Sequence, residues 1–196
     1  MGKTSSYRVP MRRKREAKTD YRRRLKLLLS GKHRLVVRTS LNHTVAQFAK
    51  YSQRGDEVVA SVHSNELKKY GWRGGMSNIS AGYLVGLLCG LKARAQGIKE
   101  AVLDIGRVAP VKGSRIFAVF KGAIDSGVSI PHSSEVFPAD SRIRGEHISA
   151  YAGIVKGKSK TIFSKYFRRK LDPVKLPKHF EDTKKNILES FKKKRE

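Results

Sequence analysis

The cations of this chain are crowded into its two ends, and that decides which part of it can fold around a core. Residues 1–34 hold 13 Lys and Arg against Glu16 and Asp20, and residues 156–196 hold 15 against 5 acids. The 121 residues between them carry 15 basic and 9 acidic side chains, so only +6 of the formal +27 falls there. Uncompensated like charges resist collapse, so the middle must supply the core and the ends read as extensions. A near-neutral body with two cationic ends suits a polyanion, whose phosphates release counterions as they are neutralised. A cationic surface kept for solubility alone is the plainer reading, but it leaves the concentration at the ends without a cause.

A chain of 196 residues suffices for one sizeable domain with appendages. Its lone cysteine, Cys89, excludes an internal disulfide framework and a cysteine-based zinc site. It sits in the apolar run Leu87–Leu91, where a buried structural thiol is expected. No apolar stretch follows the first cations, so no secretory signal is expected. The longest apolar run, Ile79 to Leu91, is too short to span a bilayer. These features describe a soluble intracellular protein with no membrane partner, no small-molecule substrate and no cofactor.

Hydrophobic periodicity predicts an extended arm to Pro10 and a helix over Met11–Ser30 stopped by Gly31. In that helix Ala17, Tyr21, Leu25 and Leu28 would pack, and Arg12, Arg15, Arg22, Arg23 and Lys26 would form a cationic stripe. Arg34–Ser40, His43–Tyr51 and Glu57–His63 read as three strands of an antiparallel meander. A buried helix capped by Asn78 or Ser80 runs to Gln96, with Gly82, Gly86 and Gly90 on one face for close approach to a sheet. Ala101–Gly106 is a fourth strand, parallel to a neighbour through a crossover. Ser114 opens a helix ending at Gly127, Asp140–Tyr151 a further one, and Lys178–Lys193 a last amphipathic one. The division expected is a basic arm and helix at 1–33, a core at 34–153 and a basic extension at 154–196. The arm (1–10) and part of Lys156–Lys175 are expected to order only on the polyanion, because only phosphate contacts would offset their lost entropy.

Most chemical motifs fail on spacing. Gly153–Ser159 has three residues between its glycines where a phosphate-binding loop needs four. The six histidines show no metal-ligand spacing. Asp104 and Asp125 are the best catalytic carboxylates, but a two-metal nuclease needs several converging on one site. No catalytic or metal site is expected. Tyr7, Tyr21, Tyr70, Trp72 and Tyr83 lie in or near basic or glycine-rich stretches, as does Arg38–His43. Together they favour structured RNA over B-DNA.

Tyr7–Tyr21, reading YRVPMRRKREAKTDY, resembles the N-terminal signature of the archaeal-type large-subunit ribosomal protein of the universal L-eighteen family, called L-five in eukaryotes. Agreement continues in Arg34–Arg38, Tyr70–Trp72, Tyr83–Leu88, Val102–Gly106, Gly122–Gly127, Ile130–His132, Arg144–Ile148 and Leu176–Phe180. The resemblance implies a mixed α/β (α+β) fold, a mixed sheet flanked by helices as in the ribonuclease-H-like arrangement but without its catalytic carboxylates. It implies a structural role in the large ribosomal subunit, binding 5S rRNA and 23S-type rRNA in the cytoplasmic ribosome's central protuberance, beside another 5S-binding protein. An RNA-processing or RNA-chaperone protein is the alternative. The residues expected on RNA are Tyr7, Arg8, Arg12, Arg13, Lys14, Arg15, Lys18, Tyr21, Arg22, Arg23 and Lys26, then Arg34, Arg38, Thr39, Ser40, Asn42 and His43, and lastly Trp72.

Overall fold

The computed structural model describes residues 7–155 and 159–192. Two short helices come first, α1 (Arg12–Arg15) and α2 (Tyr21–Leu28). Period-two alternation then gives β1 (His33–Thr39), whose Leu35 and Val37 face the core while Arg34, Val36 and Arg38 lie on the opposite face. β2 (Thr44–Lys50) and β3 (Glu57–His63) complete the expected antiparallel meander. A bulge at Phe48/Ala49 sets Val58 opposite Ala49 and Ala60 opposite Phe48, so Val59 is the extra residue and the two faces keep their character.

α3 (Ile79–Ala95) is capped by Asn78, whose side chain accepts from the Ala81 amide at 2.8 Å. It carries the chain across to β4 (Ala101–Asp104), which joins parallel to β1, so the sheet order is β3-β2-β1-β4. β4 stops two residues earlier than expected, ahead of a turn in which Gly106 takes φ +66°. Cys89 is buried in α3 and its thiol donates to the Ala46 carbonyl at 3.3 Å. Burial pushes that thiol up to about 12, which makes it an inert packing group.

The glycine face of α3 is a close approach, but its partner is α4 (Arg115–Asp125) and not the sheet. A Cβ on Gly86 would stand 2.7 Å from the Val119 carbonyl carbon, and one on Gly122 would stand 2.7 Å from the Leu87 amide nitrogen. The two helices therefore interlock backbone to backbone, each through the other's missing side chain. Spacing alone shows that a helix face is bare; it does not show what lies on it.

One helix is expected over Asp140–Tyr151, and the chain makes two, α5 (Asp140–Arg144) and α6 (Glu146–Ile154), separated by Gly145 at φ +85°. Two short helices follow, α7 (Ser159–Ile162) and α8 (Ser164–Arg168). Of the segments expected to order on a polyanion, residues 1–6 and 156–158 lie outside the described residues, as does the middle of Gly153–Ser159. α9 (Leu176–Lys192) begins earlier than expected, with Pro177 in its first turn, where a missing amide is tolerated. Leu176, Phe180 and Ile187 of this basic segment are buried in the same core cluster as Leu84 and Leu88 of α3.

Candidate nucleic-acid interface

The basic segment before the sheet is not one helix. α1 is a single turn with four cations in a row, and it ends where Ala17 takes the left-handed conformation, φ +53°. Asp20 then starts α2, its carboxylate accepting from the amides of Arg22 at 3.0 Å and Arg23 at 3.2 Å. An aspartate satisfies free amides at a helix start far better than it serves a helix interior, so the chain breaks there. The expected packing face is lost with the break. α2 has no buried residue, and Leu25 is 59% exposed.

An alternating chain of charges holds α2 to the sheet. Arg24 reaches Asp56 at 2.8 Å, Asp56 pairs with Arg34 at 2.6 Å, and Arg34 pairs with Asp104 at 2.8 Å. Arg38 closes the series, 3.3 Å from the Asp104 carboxylate and donating to the Asp104 carbonyl at 2.9 Å. Arg34 is only 2% exposed, so its two carboxylates are what allows it inside. Burial alone would raise Asp56, but hydrogen bonds and charge from Arg24 and Arg34 outweigh it and hold that carboxyl below its usual value.

A group depressed in the folded state contributes fully above its unfolded pKa, about 3.9 for aspartate, and the contribution is lost as pH falls through the lower folded value. The denaturation midpoint of the wild type should therefore drop further between pH 6 and pH 3 than that of Asp56→Asn. Equal drops would show that Asp56 adds no pH-dependent stability.

Between α2 and the outer face of the sheet lies a groove of about 800 Å³. It gathers Arg13, Lys18, Tyr21, Arg23, Lys26, Arg34 and Arg38, which are scattered over 26 positions of sequence from Arg13 to Arg38. Tyr7, Arg8, Arg12, Lys14, Arg15 and Arg22, their neighbours in sequence, are exposed and do not line it. Arg24 and Gln47, absent from the sequence expectation, are among the further residues that line it. On a single helix through Met11–Ser30 Arg24 falls beside the apolar face, away from the cationic stripe. Gln47 is visible only as an outward position on β2, directly opposite Val36.

The hairpin turn after β1 stands apart from this groove and is held firmly. The Ser77 hydroxyl donates to the Leu41 carbonyl at 2.8 Å, and Arg115 donates to the Ser40 carbonyl at 3.2 Å. Ser40 and Asn42 are exposed, Thr39 is half-buried, and His43 turns inward to Ser64 at 3.0 Å. Trp72 is a correction to its expected place on RNA. Its ring is 1% exposed, stacks on His179 at 5.2 Å and donates to the Gly75 carbonyl at 3.0 Å. Burial and the neighbouring Arg73 keep His179 below its usual pKa, and its neutral ring accepts from the Arg73 amide. Arg34, expected on RNA as well, is likewise spent inside the protein.

The two carboxylates weighed for catalysis are committed elsewhere. Asp104 belongs to the charge series, and Asp125 accepts from the Tyr83 hydroxyl at 2.7 Å. Among the described residues no group of three or more His, Cys, Asp or Glu could hold a metal ion. No helix among them is long and apolar enough to cross a membrane.

A family model described as ribosomal large subunit proteins 60S L5, and 50S L18 matches residues 5–98 and 92–133. Those stretches cover more than half of the chain, which belongs to that family of large-subunit ribosomal proteins.

Proposed function

We propose that this ribosomal protein binds 5S rRNA through its N-terminal cations and the groove beneath α2. It thereby helps to anchor that RNA to 23S-type rRNA in the central protuberance of the cytoplasmic large subunit, beside another 5S-binding protein. The observation that carries this reading is the convergence of Arg13, Lys18, Arg23 and Lys26 on one groove, with further exposed cations next to them in sequence. Internal ion pairs fix the groove's wall, so the rim cations are presented on a set scaffold. Its role is binding and scaffolding, and Asp104 and Asp125 act as structural carboxylates.

Salt dependence tests this directly. Replacing Arg12, Arg15, Arg22 and Arg23 singly by Ala should weaken 5S rRNA binding. Each should lower the log–log salt slope by roughly 0.7 to 0.9 for every phosphate left without its cation. A wild-type slope in all four variants would refute the interface.

A further inference from the structure

Cations alone do not account for the groove under α2. Three of its arginines, Arg24, Arg34 and Arg38, pair with Asp56 and Asp104, so that wall contributes shape more than charge. At the rim Lys18 pairs with Glu16 and Arg23 with Asp20, but these pairs are solvent-exposed and weak enough to yield to a phosphate. The floor is mixed: Val36 of β1, Ala49 of β2 and Val58 of β3 give an apolar strip on the outer face of the sheet, with Gln47 opposite Val36, the ion-paired Arg34 opposite Ala49, and Leu27 and Ile105 at the sides. A phosphate backbone has no reason to enter an apolar strip, whereas the face of an unstacked base does. The volume of about 800 Å³ lies within the range of small-ligand sites.

We infer that this groove takes an unpaired nucleotide of the RNA, its base on the Val36–Ala49–Val58 floor and its phosphate at the rim with Arg13, Lys18 and Arg23. The inference rests on the RNA-binding reading above and narrows it. A continuous duplex keeps its base faces stacked inside and offers this floor nothing, so a bulged, looped or terminal nucleotide is the ligand. Tyr21, half-buried in the groove, and the side-chain amide of Gln47 are the polar groups placed to meet the base edge. Gln47 already donates to the Ser61 hydroxyl at 3.2 Å, which orients its amide. A second copy of this chain is opposed as occupant by the repulsion between two proteins of formal charge +27.

The test is competition against labelled 5S rRNA bound to the full chain. The competitors are a single strand of about twelve nucleotides, a fully paired hairpin of the same phosphate count, and polyglutamate of equal charge. The single strand should displace the label at roughly tenfold lower concentration than either of the others. Equal competition by the hairpin, or by polyglutamate, would overturn the slot. Val58 is 51% exposed on an edge strand, where a tryptophan is tolerated, so Val58→Trp should fill the floor without unfolding the chain. It should bind 5S rRNA roughly tenfold or more weakly with its salt slope unchanged. Wild-type affinity in a Val58→Trp protein with an unaltered denaturation midpoint would overturn the slot and leave the cationic interface standing. Failure of the unmodified chain to bind RNA at all would overturn both.

Discussion

Gly86→Ala is expected to cost about 3 kcal/mol or more, and Gly86→Leu to leave no folded protein. Two effects oppose each other. Alanine in a helix interior gains about 1 kcal/mol over glycine, and on propensity alone the change would stabilise. Against that, the new methyl would lie 2.7 Å from the Val119 carbonyl carbon and 2.9 Å from its Cα. Both are backbone atoms of α4, which no rotamer change can move. Relief requires the two helices to part, and that opens the most extensive helix–helix packing in the core. Gly153 of α6 is the control, because a Cβ there meets nothing within 4 Å, and Gly153→Ala should be neutral or slightly stabilising. Urea midpoints of the two alanine variants settle the matter, and equal midpoints would remove the interlock.

Asp104→Ala should cost about 3 to 5 kcal/mol, because it leaves the Arg34 guanidinium in the interior with only the half-open Asp56 as partner. The cost is that of the stranded charge, not of one bond. Removing the charge as well, in Arg34→Met with Asp104→Ala, should therefore recover part of the loss. A double variant as destabilised as the sum of its singles would mean that the two side chains act independently. Asp104→Ala should also loosen α2, which the same series of pairs holds in place. Backbone amides of Tyr21–Leu28 would then exchange faster than in the wild type, by a larger factor than those of α3.

The strands and the central helix were legible because their signals are local. Leu35 and Val37 alternate with Arg34, Val36 and Arg38, and the Ile79–Leu91 run is too apolar to lie anywhere but inside. The arm was not legible because a continuous helical period runs through Ala17 and Asp20, one left-handed and the other a helix cap. Trp72 misled because its glycine-rich surroundings read as flexible. A Cβ on Gly74 would stand 2.5 Å from the Trp72 ring, so the glycine is there to let backbone lie over a buried indole. Arg34 is the instructive case. In sequence it is one more cation in a basic segment, and its two carboxylates lie 22 and 70 positions away at Asp56 and Asp104. Only the parallel pairing of β1 with β4 reveals that it is an internal residue. The groove under α2 was legible as composition and not as shape, since its floor is drawn from three strands.

That pairing also fixes an order of events during synthesis. The β1–β3 meander can close as soon as His63 has emerged, but β1 then remains a free edge until residues 101–104 are made. Through that interval Arg34 has no Asp104, and the apolar side of the meander lacks α3 until residue 95 is made and lacks α4 throughout. A nascent chain of this kind presents an open strand edge beside a cationic arm to a crowd of nucleic acid and other unfinished chains. The half-made protein is therefore most vulnerable between residues 63 and 104, and an escort that covers the edge of β1 over that window would protect it better than one acting on the finished fold.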